Sequence, residues 1–181
     1  NRVGDNQTKV KLAILNLESR KVVTANLAAL KTETKAADGK AETKERDARW
    51  SLMGLSPDGK VAVAGVRSAD NKDRWIVRLD PSTGAATVLF TDHDDAWIRE
   101  LFQNASGFLP DGKTFYFSSE KTGYMHLYTV DASATSPEVK ALTSGAWEIN
   151  DIALSADRNT FHQRMQAFAD QAQRRGGDEQ A

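Results

Sequence analysis

The sequence predicts an all-β fold, part of a β-propeller, because one turn-and-strand pattern recurs along the chain. Asp58 and Asp111 each stand in a Pro-Asp-Gly-Lys turn, and Asp157 stands in a related Ala-Asp-Arg-Asn turn. A β-branched or aromatic run follows each turn, as expected for hairpins closed by Asp-Gly. The aspartates are 53 and 46 residues apart, close to the ~40–50 residues of one propeller blade.

Each full repeat contains four predicted strands, which is the content of one blade. The predicted strands of the two repeats are 51–55, 61–67, 74–79 and 87–91, then 107–109, 114–119, 125–130 and 139–143. Residues 9–17 and 21–27 read as the two outer strands of a preceding blade, and 149–154 begin the next one. The chain therefore accounts for about two and a half blades, whereas closed propellers have at least about four. We expect a fragment, or a chain that closes with another chain.

Two segments depart from the repeat. Residues 31–48 hold ten charged residues, five of each sign, which favours a solvated loop between blades. Phe161, Met165 and Phe168 recur at helical spacing, with Asn159 or Thr160 as a cap. The expected organisation is a partial propeller over 1–160, including the charged loop, and a C-terminal helix and tail over 161–181 that is foreign to the repeat.

Composition excludes several classes of function. The 24 basic and 25 acidic residues nearly cancel and form no basic patch, which argues against nucleic-acid binding. The chain has no cysteine, so thiolate metal sites and cysteine nucleophiles are excluded, and three histidines argue against a histidine-rich metal site. The run 93–95, His-Asp-Asp, is interpreted as a polar loop. No apolar stretch reaches the ~18–20 residues of a membrane span, and no cofactor is expected.

Four segments carry a resemblance to a known family. They are DHDDAW at 92–97, FLPDGKTFYFSSE at 108–120, GYMHLY at 123–128 and LTSGAWEI at 142–149. Together they resemble the N-terminal propeller of dipeptidyl peptidase IV, from the prolyl oligopeptidase family of serine peptidases. The resemblance covers roughly residues 4–161 and ends where the helix is predicted.

The resemblance implies a parent enzyme that removes dipeptides from peptide N-termini, with Pro or Ala in second position. The catalytic groups would come from an α/β-hydrolase domain that is missing here, so this chain is expected to hold no catalytic residue and to be inactive alone. The one Gly-x-Ser, at Gly54 and Ser56, has Asp58 where a G-x-S-x-G elbow has its last glycine. Ser56 is therefore interpreted as a turn residue. The family also implies a periplasmic or secreted location.

One substrate-facing element is implied by the same resemblance. The family sends a Phe-Arg pair from the loop after Trp97 toward the cavity, and counting along the chain places that pair on Leu101 and Phe102. The arginine is absent there unless Arg99 serves through a shifted register. The alternative for Phe102 is burial between blades.

The propeller would form the wall and side entrance of the cavity that receives the peptide substrate. A second class of function stays open, namely a propeller that binds other proteins and has no link to peptidase activity. Uncovered blade faces also lead us to expect a homo-oligomer.

Overall fold

A computed structural model describes residues 11–26, 32–35, 41–44, 47–99 and 106–167. These residues form fourteen strands and no helix. The strands are β1 Ala13–Leu15, β2 Val22–Thr24, β3 Thr32–Lys35, β4 Ala41–Lys44, β5 Ala48–Leu55, β6 Ala62–Ser68, β7 Asp73–Leu79, β8 Ala86–His93, β9 Ser106–Phe108, β10 Thr114–Ser119, β11 His126–Asp131, β12 Val139–Ala141, β13 Trp147–Leu154 and β14 Phe161–Ala167.

Two four-stranded antiparallel sheets form the centre of the structure, and in both the strand order equals the chain order. We call β5 to β8 blade 2 and β9 to β12 blade 3. The hairpin of β1 and β2 belongs to blade 1, and the hairpin of β13 and β14 belongs to blade 4. The predicted all-β fold built from four-stranded repeats is confirmed.

The recurring aspartates organise the turns that start each repeat. Asp58 Oδ1 accepts hydrogen bonds from the Ser56 hydroxyl (2.6 Å) and from the Lys60 amide (3.1 Å). Asp111 Oδ1 accepts two bonds from the amides of Lys113 (2.9 Å) and Thr114 (2.8 Å). The residue after each aspartate has positive φ, namely Gly59, Gly112 and Arg158. Glycine adopts that conformation freely, whereas Arg158 adopts it at a steric cost.

Alternating side chains send each blade into two different cores. In β6, Val63 packs toward blade 3 while Ala64 packs toward blade 1. In β10, Phe115 packs toward blade 2 while Tyr116 packs toward blade 4. Because successive residues of a strand point to opposite faces, one apolar strand supplies both cores. This explains the continuous apolar runs at 62–66, 75–77 and 115–117.

The core between blades 2 and 3 is the most aromatic. The Phe90 and Phe117 rings lie 4.8 Å apart, and those of Phe108 and Phe115 meet edge to face at 5.1 Å. A Cβ at Gly54 would lie 3.3 Å from the Phe115 ring. Gly54 therefore lets β5 approach blade 3 closely, and β5 contacts β9 as the innermost strands of adjacent blades do.

The predicted C-terminal helix is wrong over the part of it that the structure describes. Residues 161–167 form β14, which pairs with β13 from Leu154 opposite Phe161 to Trp147 opposite Ala167. Phe161 and Met165 fit a period of two as well as a helical period, so the pattern alone did not decide. The Asp157 turn places this segment beside a free strand edge, and pairing there overrides local helix preference. Residues 168–181, including Phe168, lie outside the described residues.

The charged segment 31–48 contains strands where a loop was expected. Its two strands, β3 and β4, pair antiparallel with four matched positions. A third strand, β5, begins within the segment at Ala48. Threonine at positions 32, 34 and 43 favours extended backbone. The charged composition of the segment indicated a loop and did not exclude a hairpin.

The aspartate turns predict a specific acid sensitivity. Burial opposes ionisation of Asp111, but hydrogen bonds from Thr114 and Lys113 outweigh it and hold the pKa below 3.8. A depressed folded pKa contributes stability that is present above the unfolded value and lost as pH falls through the folded one. We expect Asp111→Asn to lower Tm at neutral pH by roughly 2 °C and to flatten the loss of Tm on acidification.

Thermal unfolding followed by circular dichroism between about pH 2 and pH 7 measures this effect. The matched control is Asp151→Asn, at an exposed aspartate of β13. If Asp111→Asn and the wild-type chain lose Tm in parallel as pH falls, the Asp111 turn has no part in acid stability.

Candidate functional site

The segment that follows β8 lies at the end of the blades opposite the aspartate turns. The Asp94 amide donates to the Lys72 carbonyl (2.9 Å), and the Ile98 amide donates to the Asn71 carbonyl (2.8 Å). The Arg67 guanidinium donates to the Ile98 carbonyl. These bonds fix the segment 94–98 against the turn between β6 and β7, which is the region where the resemblance placed a substrate-facing loop.

Trp97 is exposed although its backbone is held in place. Asp94 Oδ1 accepts bonds from the amides of Ala96 (2.7 Å) and Trp97 (3.1 Å). Ile98 is buried, yet 62% of Trp97 is exposed. Of the four tryptophans, Trp75 is buried and Trp50 and Trp147 are half-buried against the cores. Trp97 is thus an aromatic side chain presented to solvent on an anchored turn.

Arg99 brings together groups from three blades. It follows the last strand of blade 2, and its Nη1 lies 3.3 Å from Oε1 of Glu120 and 3.5 Å from Oε2 of Glu148. Glu120 follows β10 of blade 3, and Glu148 belongs to β13 of blade 4. Glu148 is the most buried of the three side chains, with 15% exposed. The two carboxylates around one guanidinium leave this cluster with a net negative charge.

A buried ionic network lies beneath this end. Arg74 Nη2 donates to Asp92 Oδ2 (2.8 Å) and to the Ser118 carbonyl (3.3 Å), and the Ser119 hydroxyl donates to Asp92 Oδ2 (2.6 Å). Burial lowers the pKa of Arg74, while the charge of Asp92 opposes that change. The network joins blade 2 to blade 3 through charge-assisted bonds. Sequence reasoning missed it, although opposite charges inside two apolar strands were a usable signal.

The histidines have distinct surroundings. His93 is exposed, and its ring nitrogens lie 2.6 Å from Asp73 Oδ1 and 3.3 Å from Asp95 Oδ1. His126 is buried, with Nε2 3.0 Å from the Gly145 carbonyl and its ring 5.0 Å from the Trp147 ring. His126 thus contacts the connection from blade 3 toward blade 4.

The structure brings together only part of the predicted site. Arg99 is described and is engaged with Glu120 and Glu148, whereas Leu101 and Phe102 lie outside the described residues. Ser56 is buried, with its hydroxyl bonded to Asp58 and accepting from the Val61 amide. That geometry confirms Ser56 as a turn residue.

The described residues hold neither a metal-binding cluster nor a membrane-spanning helix. Across these parts of the chain, no group of three or more His, Asp or Glu side chains is arranged to hold a metal ion. The same residues contain no helix long and apolar enough to cross a membrane.

Comparison with known proteins gives one family match. The family model described as dipeptidyl peptidase IV (DPP IV) N-terminal region matches residues 1–162. No curated protein matches the chain.

Several solved structures resemble the chain. One from Bacteroides ovatus, assigned as a dipeptidyl aminopeptidase IV, has a TM-score of 0.60 and 22% identity and covers 85% of this chain. This chain spans only 22% of that protein. TolB from Acinetobacter baumannii has a TM-score of 0.43 and 23% identity. The match covers 84% of this chain and 34% of that protein. A structure from Agrobacterium tumefaciens, assigned as TolB, has a TM-score of 0.42 and 18% identity. The match covers 87% of this chain and 74% of that protein. The first of these similarities supports a propeller-type fold.

The Arg99 cluster predicts a salt-sensitive coupling between blades 2 and 4. A double-mutant cycle of Arg99→Gln and Glu148→Gln should give a coupling free energy of about 0.5 kcal/mol, typical of partly exposed pairs. The coupling should shrink in about 1 M NaCl, where screening is strong. Urea unfolding of the four proteins measures it.

The control cycle uses Lys60, an exposed cation at the opposite end of blade 2, in place of Arg99. The effects of Lys60→Gln and Glu148→Gln should be additive. Additivity in the Arg99 cycle as well, or a coupling that salt leaves unchanged, would show that Arg99 does not pair with Glu148 in solution.

Proposed function

The chain belongs to the dipeptidyl peptidase IV N-terminal family, and from that premise we propose that it is the propeller part of a dipeptidyl peptidase IV-like serine exopeptidase. The parent enzyme removes N-terminal dipeptides that carry Pro or Ala in second position. In this proposal the propeller takes no part in bond cleavage and shapes the access of peptides to the cavity. The observation that carries the proposal is the family match over residues 1–162.

The engagement of Ser56 supports a non-catalytic role. The only Gly-x-Ser of the sequence lies at Gly54 to Ser56, and the Ser56 hydroxyl is bonded within its own turn. A nucleophilic serine needs a hydroxyl that a general base can deprotonate next to the substrate. In this proposal the nucleophile and its partners belong to an α/β-hydrolase domain elsewhere in the parent protein.

The fixed position of Arg99 supports a role for the residues that follow it. Phe102 follows Arg99 by three residues, and three residues of chain span at most roughly 11 Å. Arg99 itself contacts Glu148 near the start of the innermost strand of blade 4. We propose that Phe102 reaches the cavity rim and packs against a peptide side chain, with Leu101 beside it. Arg99 then acts as the fixed base of this element and does not replace the family's arginine.

The outer faces of the partial propeller support an association role. On blade 1, the cross-strand neighbours Leu15 and Val22 are 56% and 65% exposed. In the parent protein a neighbouring blade would cover this pair, and in the isolated chain we propose that a second copy does so. A periplasmic or secreted location is proposed on the family premise alone.

The proposed function predicts a sharp difference between the parent protein and this chain. A full-length protein that contains this region should release p-nitroaniline from Gly-Pro and Ala-Pro p-nitroanilides and should react with a fluorophosphonate probe. The 181-residue chain should do neither, because Ser56 is confined to its turn. A full-length protein without dipeptide release would favour the alternative, a propeller that only binds other proteins. Stoichiometric labelling of the chain alone would contradict the non-catalytic role.

The same assay tests the role of Phe102 in the full-length protein. Phe102→Ala should raise KM for peptides with an apolar side chain near the scissile bond by roughly tenfold, the low end for loss of an apolar pocket contact. Gln103→Ala is the matched control and should leave KM unchanged. If Phe102→Ala leaves KM unchanged and lowers Tm, the residue is buried between blades.

A further inference from the structure

His93 lies between two carboxylates at the end of blade 2. Its Nδ1 is 2.6 Å from Oδ1 of Asp73, the residue directly opposite it on β7. Its Nε2 is 3.3 Å from Oδ1 of Asp95, which belongs to the segment that follows β8. The Asp73 side chain is 12% exposed, whereas that of Asp95 is fully exposed. One ring therefore connects a fixed strand end to a turn.

The number of protons on the ring decides how many of these contacts are favourable. A neutral imidazole has one N–H and one lone pair, whereas an imidazolium has two N–H groups. A neutral ring that donates to Asp73 turns a lone pair toward a carboxylate oxygen of Asp95. Only the imidazolium attracts both carboxylates, so this arrangement favours the protonated ring.

The carboxylates beside His93 also favour its protonated form. The hydrogen bond with Asp73, followed by that with Asp95, raises the pKa of His93 above 6.5. Arg74 and Asp92 are the next residues on the two strands, but they lie on the opposite face and pair with each other.

The neighbouring turn residues are otherwise engaged. The Asp94 carboxylate accepts from the amides of Ala96 and Trp97. Lys72 is exposed. It contacts the segment through its backbone carbonyl, which accepts a hydrogen bond from the Asp94 amide.

We propose that His93 is a proton-dependent tether of the segment 94–99. The imidazolium holds Asp95 to the strand end at Asp73, and loss of the proton releases Asp95 and loosens the turn that carries Trp97 and Arg99. Because Arg99 contacts blades 3 and 4, protonation at His93 also steadies this end of the blades. The tether is independent of the proposed peptidase function, since every group in it is a described residue of this chain.

The direction of the pH effect follows from the raised pKa. A histidine whose folded pKa exceeds the unfolded 6.5 contributes stability that is complete below 6.5. That contribution is lost as pH rises through the folded pKa. The segment is therefore tightest in mildly acidic solution and loosest above the pKa of His93.

Nuclear magnetic resonance of the ¹⁵N-labelled chain tests the tether. Imidazole nitrogen shifts recorded from about pH 5 to pH 9 give the pKa of His93, whose signals are identified by their loss in His93→Gln. Asp95→Asn should lower that pKa. In the wild-type chain, the exchange protection of the Ile98 amide, corrected for intrinsic rates, should fall roughly two- to fivefold when His93 loses its proton, as expected for an exposed ion pair.

Asp95→Asn should abolish the pH dependence of Ile98 protection, and His162→Gln, at an exposed histidine of β14, should leave it intact. The proposal is overturned if Asp95→Asn leaves the pKa of His93 unchanged. It is also overturned if Ile98 protection stays constant while His93 titrates. A fall in protection that persists in Asp95→Asn would place the sensitivity at another group.

Discussion

Two-sided burial of each blade is the constraint on which the rest of the structure depends. A blade in the middle of the array has a neighbour on both faces, so most residues of its central strands are apolar on either side, and buried charges such as Arg74 and Asp92 are paired. Phe115 and Tyr116 are adjacent in β10 and enter different cores. Burying one such side chain contributes about 1.5–3 kcal/mol, and the alternation lets a six-residue strand stabilise two interfaces.

Polar contacts between blades follow from this packing and are carried mainly by arginine. Arg78 of blade 2 donates to the Ala132 carbonyl of blade 3 (2.9 Å), and Arg158 of blade 4 donates to the Phe108 carbonyl (2.6 Å). A long guanidinium spans the gap that apolar side chains create and satisfies carbonyls left at strand ends. Arg99 makes similar contacts to the carboxylates of Glu120 and Glu148, and so the end of the blades that carries Arg99 is positioned by the cores beneath it.

Local chemistry made the blades predictable from sequence. The turn at Asp111 requires positive φ at the following glycine. The aromatic run directly after it, 115–117, predicts a strand. The helix prediction for the segment after Asp157 was wrong because Phe161 and Met165 fit both a helical and a strand period. Pairing with the free edge of β13 decides for the strand. The ion pairs of Arg99 were not predictable, because they join residues that are neighbours only after three blades have packed. The position of Leu101 and Phe102 stays a prediction.

Amide hydrogen exchange in two neighbouring variants tests two-sided burial most directly. Phe115→Ala should open the core it shares with blade 2 and speed exchange in β7 by roughly tenfold or more, because a buried phenylalanine truncation costs about 3–5 kcal/mol. Tyr116→Ala should instead speed exchange in β13 of blade 4. Each of these two adjacent substitutions should therefore affect a different neighbouring blade. Equal acceleration of β7 and β13 in both variants would contradict it, because the blades would then share one undivided core.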